Sequence, residues 1–145
     1  MDVSLSSPSA RSNVAPPVLI VDDEPLILWS ISETLKHEGY TVVEARDARG
    51  ALAAVAAAAS PFGVVVLDLR LPDCGDFSLL SRVHTAMADA QIIVMTAHGT
   101  RELEDAALSL GAYRVMHKPF GMAELVEMVE QANHDRMQGF GGNAS

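Results

Sequence analysis

Gly63-Val64-Val65-Val66-Leu67 is apolar at every position after its glycine, and Asp68 follows at once. A strand with one solvated face alternates apolar and polar residues. An unbroken apolar run is instead buried on both faces, the habit of strands in parallel sheets with helices above and below. Val18-Leu19-Ile20-Val21 on one side and Ile92-Ile93-Val94-Met95 on the other repeat the pattern, and Tyr40 to Ala45 and Ala112 to Met116 read as two further strands. Helical segments separate them. Pro25 to His37 places Leu28, Ile31 and Leu35 on one face, with Pro25 suited to a first turn and Gly39 to a C-terminal cap. Asp47 is expected to N-cap an alanine-rich helix that ends near Ser60-Pro61. Phe77 to Ala88, Thr100 to Leu110 (stopped by Gly111) and Met122 to about Met137 supply three more. Five β/α units in succession predict an α/β fold: a doubly wound, five-stranded parallel sheet of order 2-1-3-4-5 with helices on both faces.

The 145 residues make one domain of ordinary size. Residues 1–16 are Ser-rich and are expected to form a disordered leader without a secretory h-region, 17–134 the folded domain, and 135–145 a flexible Gly-rich tail. Lys plus Arg number 10 against 19 Asp plus Glu, a net charge of -9, and this charge falls on the folded part. Such a surface repels phosphate backbones and anionic lipid, which argues against direct nucleic-acid or membrane binding. The longest plain apolar run, Ala51 to Ala59, is too short to span a bilayer. One cysteine, Cys74, excludes an internal disulfide and points to a reducing cytoplasm.

In a doubly wound sheet, function gathers outside the carboxyl ends of the strands. The residues predicted there are Asp22-Asp23-Glu24 after the first strand, Asp68 after the third, Thr96-Ala97 after the fourth and Lys118-Pro119 after the fifth. Clustered carboxylates repel one another, and a hard divalent cation relieves them: Mg2+, or Mn2+. An ammonium and a hydroxyl beside that cation complete a site for a phosphoryl group, and one carboxylate can serve as nucleophile. Asp68 stands alone at the end of the central strand and is the candidate nucleophile. The adjacent Asp22 and Asp23 suit the metal. As isolated features these acids also suit a solvated helix start, and Thr96 a simple N-cap. His37, His84, His117 and His134 lack ligand spacing, and His98 reads as an exposed loop residue.

Four blocks resemble the signature of two-component response-regulator receiver domains: Val18 to Pro25, Val66 to Asp73, Ile93 to Ala97 and His117-Lys118-Pro119-Phe120. The resemblance covers about residues 17 to 134 and is closest to single-domain, chemotaxis-regulator-like members. It implies a flavodoxin-like receiver fold with Asp68 as phosphoacceptor. Asp22, Asp23, Asp68 and the backbone carbonyl of Arg70 would surround Mg2+ (or Mn2+), Thr96 would be the switch hydroxyl, and Lys118, before a cis proline, the phosphate-pairing lysine. It further implies a phosphorelay role in the cytoplasm. A histidine kinase or phosphotransfer protein would be the donor, and a downstream protein or self-association the output, with no enzymatic turnover of an outside substrate. Two positions depart from the pattern. Val115 stands where the family usually has Tyr or Phe, with Tyr113 expected on the same sheet face, and Gly75 comes one place early in the loop Asp73-Cys74-Gly75-Asp76. Two other readings are a receiver piece of a longer transcription factor and an Mg2+-dependent aspartyl-phosphate phosphohydrolase. The second would want an acid at residue 70, which is arginine, and a cap domain.

Overall fold

The computed structural model describes residues 15–138. Five parallel strands, β1 (Val18–Val21), β2 (Val42–Ala45), β3 (Val64–Asp68), β4 (Gln91–Thr96) and β5 (Ala112–His117), form one sheet of order β2-β1-β3-β4-β5. The helices are α1 (Pro25–His37), α2 (Ala48–Ala57), α3 (Ser78–Ala86), α4 (Arg101–Ser109) and α5 (Met122–Met137). The chain leaves β1 toward β2 on one side and returns to β3 on the other, so the crevice of this topology opens between β1 and β3.

Side-chain alternation sorts the core into two layers. Leu19, Val21, Val65, Leu67, Ile92 and Val94 meet α2, α3 and α4 through residues such as Ala51, Leu80 and Ala107. Val18, Ile20, Val64, Val66, Ile93 and Met95 meet α1 and α5 through Ile31, Leu35, Leu125 and Val129. Every residue of β1, β3 and β4 is buried, which is why their sequences carry no polar alternation.

Local chemistry ends the elements where the residues call for it. Gly39 at φ +99° closes α1, its N–H donating to Lys36 O (2.9 Å) while Tyr40 N–H donates to Leu35 O (3.0 Å). Asp47 accepts from Gly50 N–H (2.7 Å) at the start of α2, a cap worth about 1 kcal/mol. Thr100 does the same for α4 through Leu103 N–H (3.1 Å), so it caps that helix instead of opening it. Helix α2 stops at Ala57, short of Ser60-Pro61.

Most of the expected leader and tail lies outside the described residues. Pro16 covers Gly63 so closely that a Cβ there would come within 2.9 Å of its ring, and Pro17 O accepts from Gly63 N–H (3.0 Å). At the other end α5 runs through Met137, as its sequence pattern predicted, so residues 135–137 lie in the helix.

Tyr113 ties this last turn to the sheet, its hydroxyl donating to Asp135 Oδ2 (2.5 Å). This contact also corrects the expected facing of Tyr113. The β4–β5 pairing slips between Ile92↔Ala112 and Ile93↔Arg114, a bulge that inserts one extra residue. Tyr113 thereby turns to the α1–α5 layer, while Val115 packs against the α2–α4 layer. Burial, then the bond to Asp135, pushes Tyr113 up to about 12, and the same bond, with Gln131, holds Asp135 below the usual carboxylate range. The pair therefore contributes fully between the unfolded-chain values of 3.8 and 10.0. That contribution fades as pH falls through the lowered Asp135 value or rises toward about 12. Tyr113→Phe is expected to lower the melting midpoint at pH 7 and to lower it less in acid below pH 3.8. Paired thermal melts across that range check it.

Candidate functional site

Parallel register brings the strand ends level. Val21 lies opposite Leu67, Leu67 opposite Val94, Asp68 opposite Met95, and Thr96 opposite His117. The residue following each of these ends therefore reaches one edge. Asp22 is fully buried there, anchored by its own N–H to Ala45 O (3.1 Å), and its Oδ1 accepts from Glu24 N–H (2.9 Å) at the entry to α1. Asp68 is 6% exposed, and its Oδ1 accepts from Arg70 N–H (3.0 Å). Asp22, Asp23 and Asp68 each offer a carboxylate oxygen, all within 4.8 Å of one another.

Lys118 is the cation that holds this edge together. Its Nζ donates to Asp22 Oδ2 (2.9 Å), Asp68 Oδ2 (3.2 Å) and Glu24 Oε1 (3.2 Å), and its backbone N–H donates to Thr96 O (2.8 Å). The Lys118-Pro119 bond is cis, as the resemblance implied. Burial alone would push the ammonium down, but hydrogen bonding and charge from Asp22, with Asp68 and Glu24, outweigh it and hold Lys118 above its ordinary value. Burial raises Asp68, and Asp22 adds to this, while the Arg70 N–H and Lys118 pull the other way without cancelling it. Three carboxylates thus share one ammonium, with the Asp23 carboxylate beside them. Asp23 points to solvent, and an open cleft of about 670 Å³ lies over the edge, walled by Asp23, Asp68, Arg70, Lys118, Ile27 and Phe120. Hard oxygen donors in excess over positive charge fit a small divalent cation.

Thr96 sits at the same edge, 6% exposed, and its hydroxyl accepts from His98 N–H (3.2 Å). The structure therefore brings together every residue the sequence nominated: Asp22, Asp23, Asp68, Arg70, Thr96 and Lys118. Three further participants had been assigned no role. Glu24 shares Lys118. His117 bonds Glu104 of α4 and lies so near Gly99 that a Cβ there would collide with its ring. Asp73 reaches back from the loop after β3 to the start of α2. Only Glu24 carried a signal, its place beside Asp22-Asp23. The other two arise from contacts between segments far apart in the chain.

A 2-1-3-4-5 parallel sheet with an aspartate on its central strand, an acidic pair, a hydroxyl and a lysine on one edge defines a domain of the receiver class. The chain belongs to the response regulator receiver domain family, whose model matches residues 18–130. It is 36% identical over 117 residues to the nitrogen assimilation regulatory protein NtrX of Azorhizobium caulinodans, covering 79% of this chain and 25% of that protein. It is 38% identical over 115 residues to the transcriptional regulatory protein KdpE of Mycobacterium tuberculosis, covering 79% of this chain and 50% of that one. The chain thus spans about a quarter to a half of the length of these curated relatives. Among solved structures it resembles a CheY-like receiver domain protein from Methanospirillum hungatei at TM-score 0.80 and 28% identity, covering 86% of this chain and 98% of that one.

Proposed function

We propose that this receiver domain takes a phosphoryl group from a phosphohistidine of a histidine kinase or phosphotransfer protein onto Asp68, and signals by protein–protein contact. The observation that carries this reading is the Lys118 ammonium, held at 2.9 Å from Asp22 and 3.2 Å from Asp68 over three converging carboxylates. An Asp68 carboxylate oxygen attacks phosphorus. The new P–O bond forms as the P–N bond to the donor imidazole breaks, and the released nitrogen takes a proton. Lys118 pairs with one phosphoryl oxygen, and the Thr96 hydroxyl, while accepting from His98 N–H, donates its own proton to another. Asp22, Asp23, Asp68 and the Arg70 carbonyl would hold Mg2+ (or Mn2+), which supplies charge neutralisation at the phosphoryl oxygens when bound. Hydrolysis of the acyl phosphate by water resets the domain. Residue 70, two beyond the nucleophile, is arginine and offers no general acid, which favours a phosphoacceptor over a phosphohydrolase.

A net charge of -9 supports output through proteins, including self-association, over direct contact with nucleic acid or a membrane surface. Among the described residues no helix is long and apolar enough to cross a membrane, in keeping with action in the cytoplasm. A second reading, a receiver piece of a longer transcription regulator, is favoured by the names of the relatives and the small share of their length that is matched. Reading the gene beyond Ser145 decides it.

The central test is incubation with acetyl phosphate and Mg2+ followed by intact mass, expecting one phosphoryl group per chain located on Asp68. A companion expectation concerns the metal alone. Millimolar Mg2+ raises the melting midpoint, because the unfolded chain has no assembled site, and Asp23→Ala removes the rise. Since Asp23 is exposed, its loss leaves the fold intact. Identical wild-type midpoints with and without Mg2+ would count against the cation site.

A further inference from the structure

Helix α2 begins under two carboxylates, and only one of them is local. Asp47 caps Gly50 N–H in the ordinary way (2.7 Å). Asp73, from the loop after β3, accepts from Ala48 N–H (2.8 Å) through one oxygen and from Arg49 N–H (3.0 Å) through the other. These two N–H groups have no partner within the helix and lie at the positive end of its dipole, so a bidentate carboxylate suits them. The two bonds hold the Asp73 carboxyl below its usual range, and the contact is therefore made by the charged form at neutral pH.

The loop between this contact and the phosphoacceptor is stiff. Leu71 and Cys74 exchange both backbone hydrogen bonds (3.0 and 3.2 Å), closing a four-residue turn with Pro72 and Asp73 at its tip. Leu71 is buried against the α2–α4 layer. One step before the turn, Arg70 N–H holds Asp68 Oδ1. A continuous chain of contacts thus runs from the start of α2 through Asp73 and the closed turn to the Arg70 peptide and Asp68.

We infer that Asp73 is a positioning residue for the cation face of the site: by fastening the Leu71–Cys74 turn to α2, it fixes the Arg70 peptide over Asp68 and so sets the affinity for a divalent cation. The inference rests on the reading of Asp22, Asp23, Asp68 and the Arg70 carbonyl as that cation's ligands. A second helix cap without this role would behave as Asp47 does, so Asp47 is the internal control.

The experiment titrates wild type, Asp73→Ala, Asp73→Asn and Asp47→Ala with Mg2+, read by melting midpoint and by backbone amide resonances. Asp73 is exposed, and its variants are expected to fold. In metal-free protein, Asp73→Asn should shift the Ala48, Arg49 and Arg70 amides. Asp73→Ala should weaken Mg2+ binding on the order of tenfold, the low end for groups that orient metal ligands, with Asp73→Asn in between. Asp47→Ala should lower the metal-free midpoint and leave Mg2+ affinity at the wild-type value. Wild-type Mg2+ affinity in Asp73→Ala overturns the inference and leaves the cation site standing, as does an Arg70 amide indifferent to Asp73→Asn. A wild-type protein that responds to Mg2+ in neither readout overturns the cation site and the inference together.

Discussion

Asp68→Asn is expected to stay folded and to take up no phosphoryl group. Asparagine keeps the shape of the buried side chain, and its carbonyl oxygen can still accept from Arg70 N–H. The bond from Lys118 to Oδ2 is lost, but Lys118 retains Asp22 and Glu24. The charge removed is one that burial and Asp22 already disfavour. A carboxyl whose folded pKa is raised stabilises the fold fully below its unfolded value of 3.8 and loses that contribution as pH rises through the raised value. At neutral pH the wild type therefore carries a strained carboxylate that the variant lacks, and the metal-free midpoint of Asp68→Asn should equal or exceed that of wild type. The advantage shrinks as the pH is lowered toward 3.8, because the wild type recovers its own contribution by taking up a proton. Reactivity changes far more than stability: an amide is a poor nucleophile, so uptake from acetyl phosphate should vanish. Intact mass after phosphorylation and melts at two pH values measure both halves. Uptake at the wild-type level would remove Asp68 from the role.

The residues behind that expectation are legible in the sequence itself. The runs at residues 18–21, 64–67 and 92–95 are apolar at every position because both faces of their strands are covered, and that pattern alone separates a doubly wound sheet from a one-sided one. Once the order was read as 2-1-3-4-5, the strand ends could be aligned, and Asp22, Asp68, Thr96 and Lys118 fell on one edge. The parts that were not legible depend on contacts without a local signature. A bulge opposite Ile92 turns Tyr113 to the face opposite the one strict alternation predicts, and nothing in Ala112-Tyr113-Arg114 announces it. The bond from Tyr113 to Asp135 near the end of α5 follows from that same turn. Asp73 reads as a turn residue after Pro72, and only the packing of β3 beside β1 sets it against the start of α2.

Thr96→Ala is expected to accept phosphate on Asp68 yet lose activation-dependent binding or dimerisation, whereas Val115→Ala keeps that output. A phosphoryl group on Asp68 presents strong acceptor oxygens at the edge where the Thr96 hydroxyl lies. That hydroxyl holds His98 N–H, so drawing it toward phosphate tugs on the loop that leads into α4. The loop has little slack. Gly99 lies against the His117 ring, and a Cβ on it would also reach 3.0 Å from Thr96 Cγ2. His117, opposite Thr96 in the sheet, bonds Glu104 in the first turn of α4. Motion at Thr96 therefore reaches α4 through Gly99, His117 and Glu104 without passing residue 115. Val115 is half-buried against the α2–α4 layer, has no ring to swing and has a stiff χ1. Its truncation to alanine leaves a small void costing about 1 kcal/mol, read as a modest fall in midpoint. Sizing or partner binding with and without beryllofluoride compares the two variants. If Val115→Ala, still folded, loses its output as fully as Thr96→Ala does, the signal travels through β5 and the path by way of His117 and α4 is not the route.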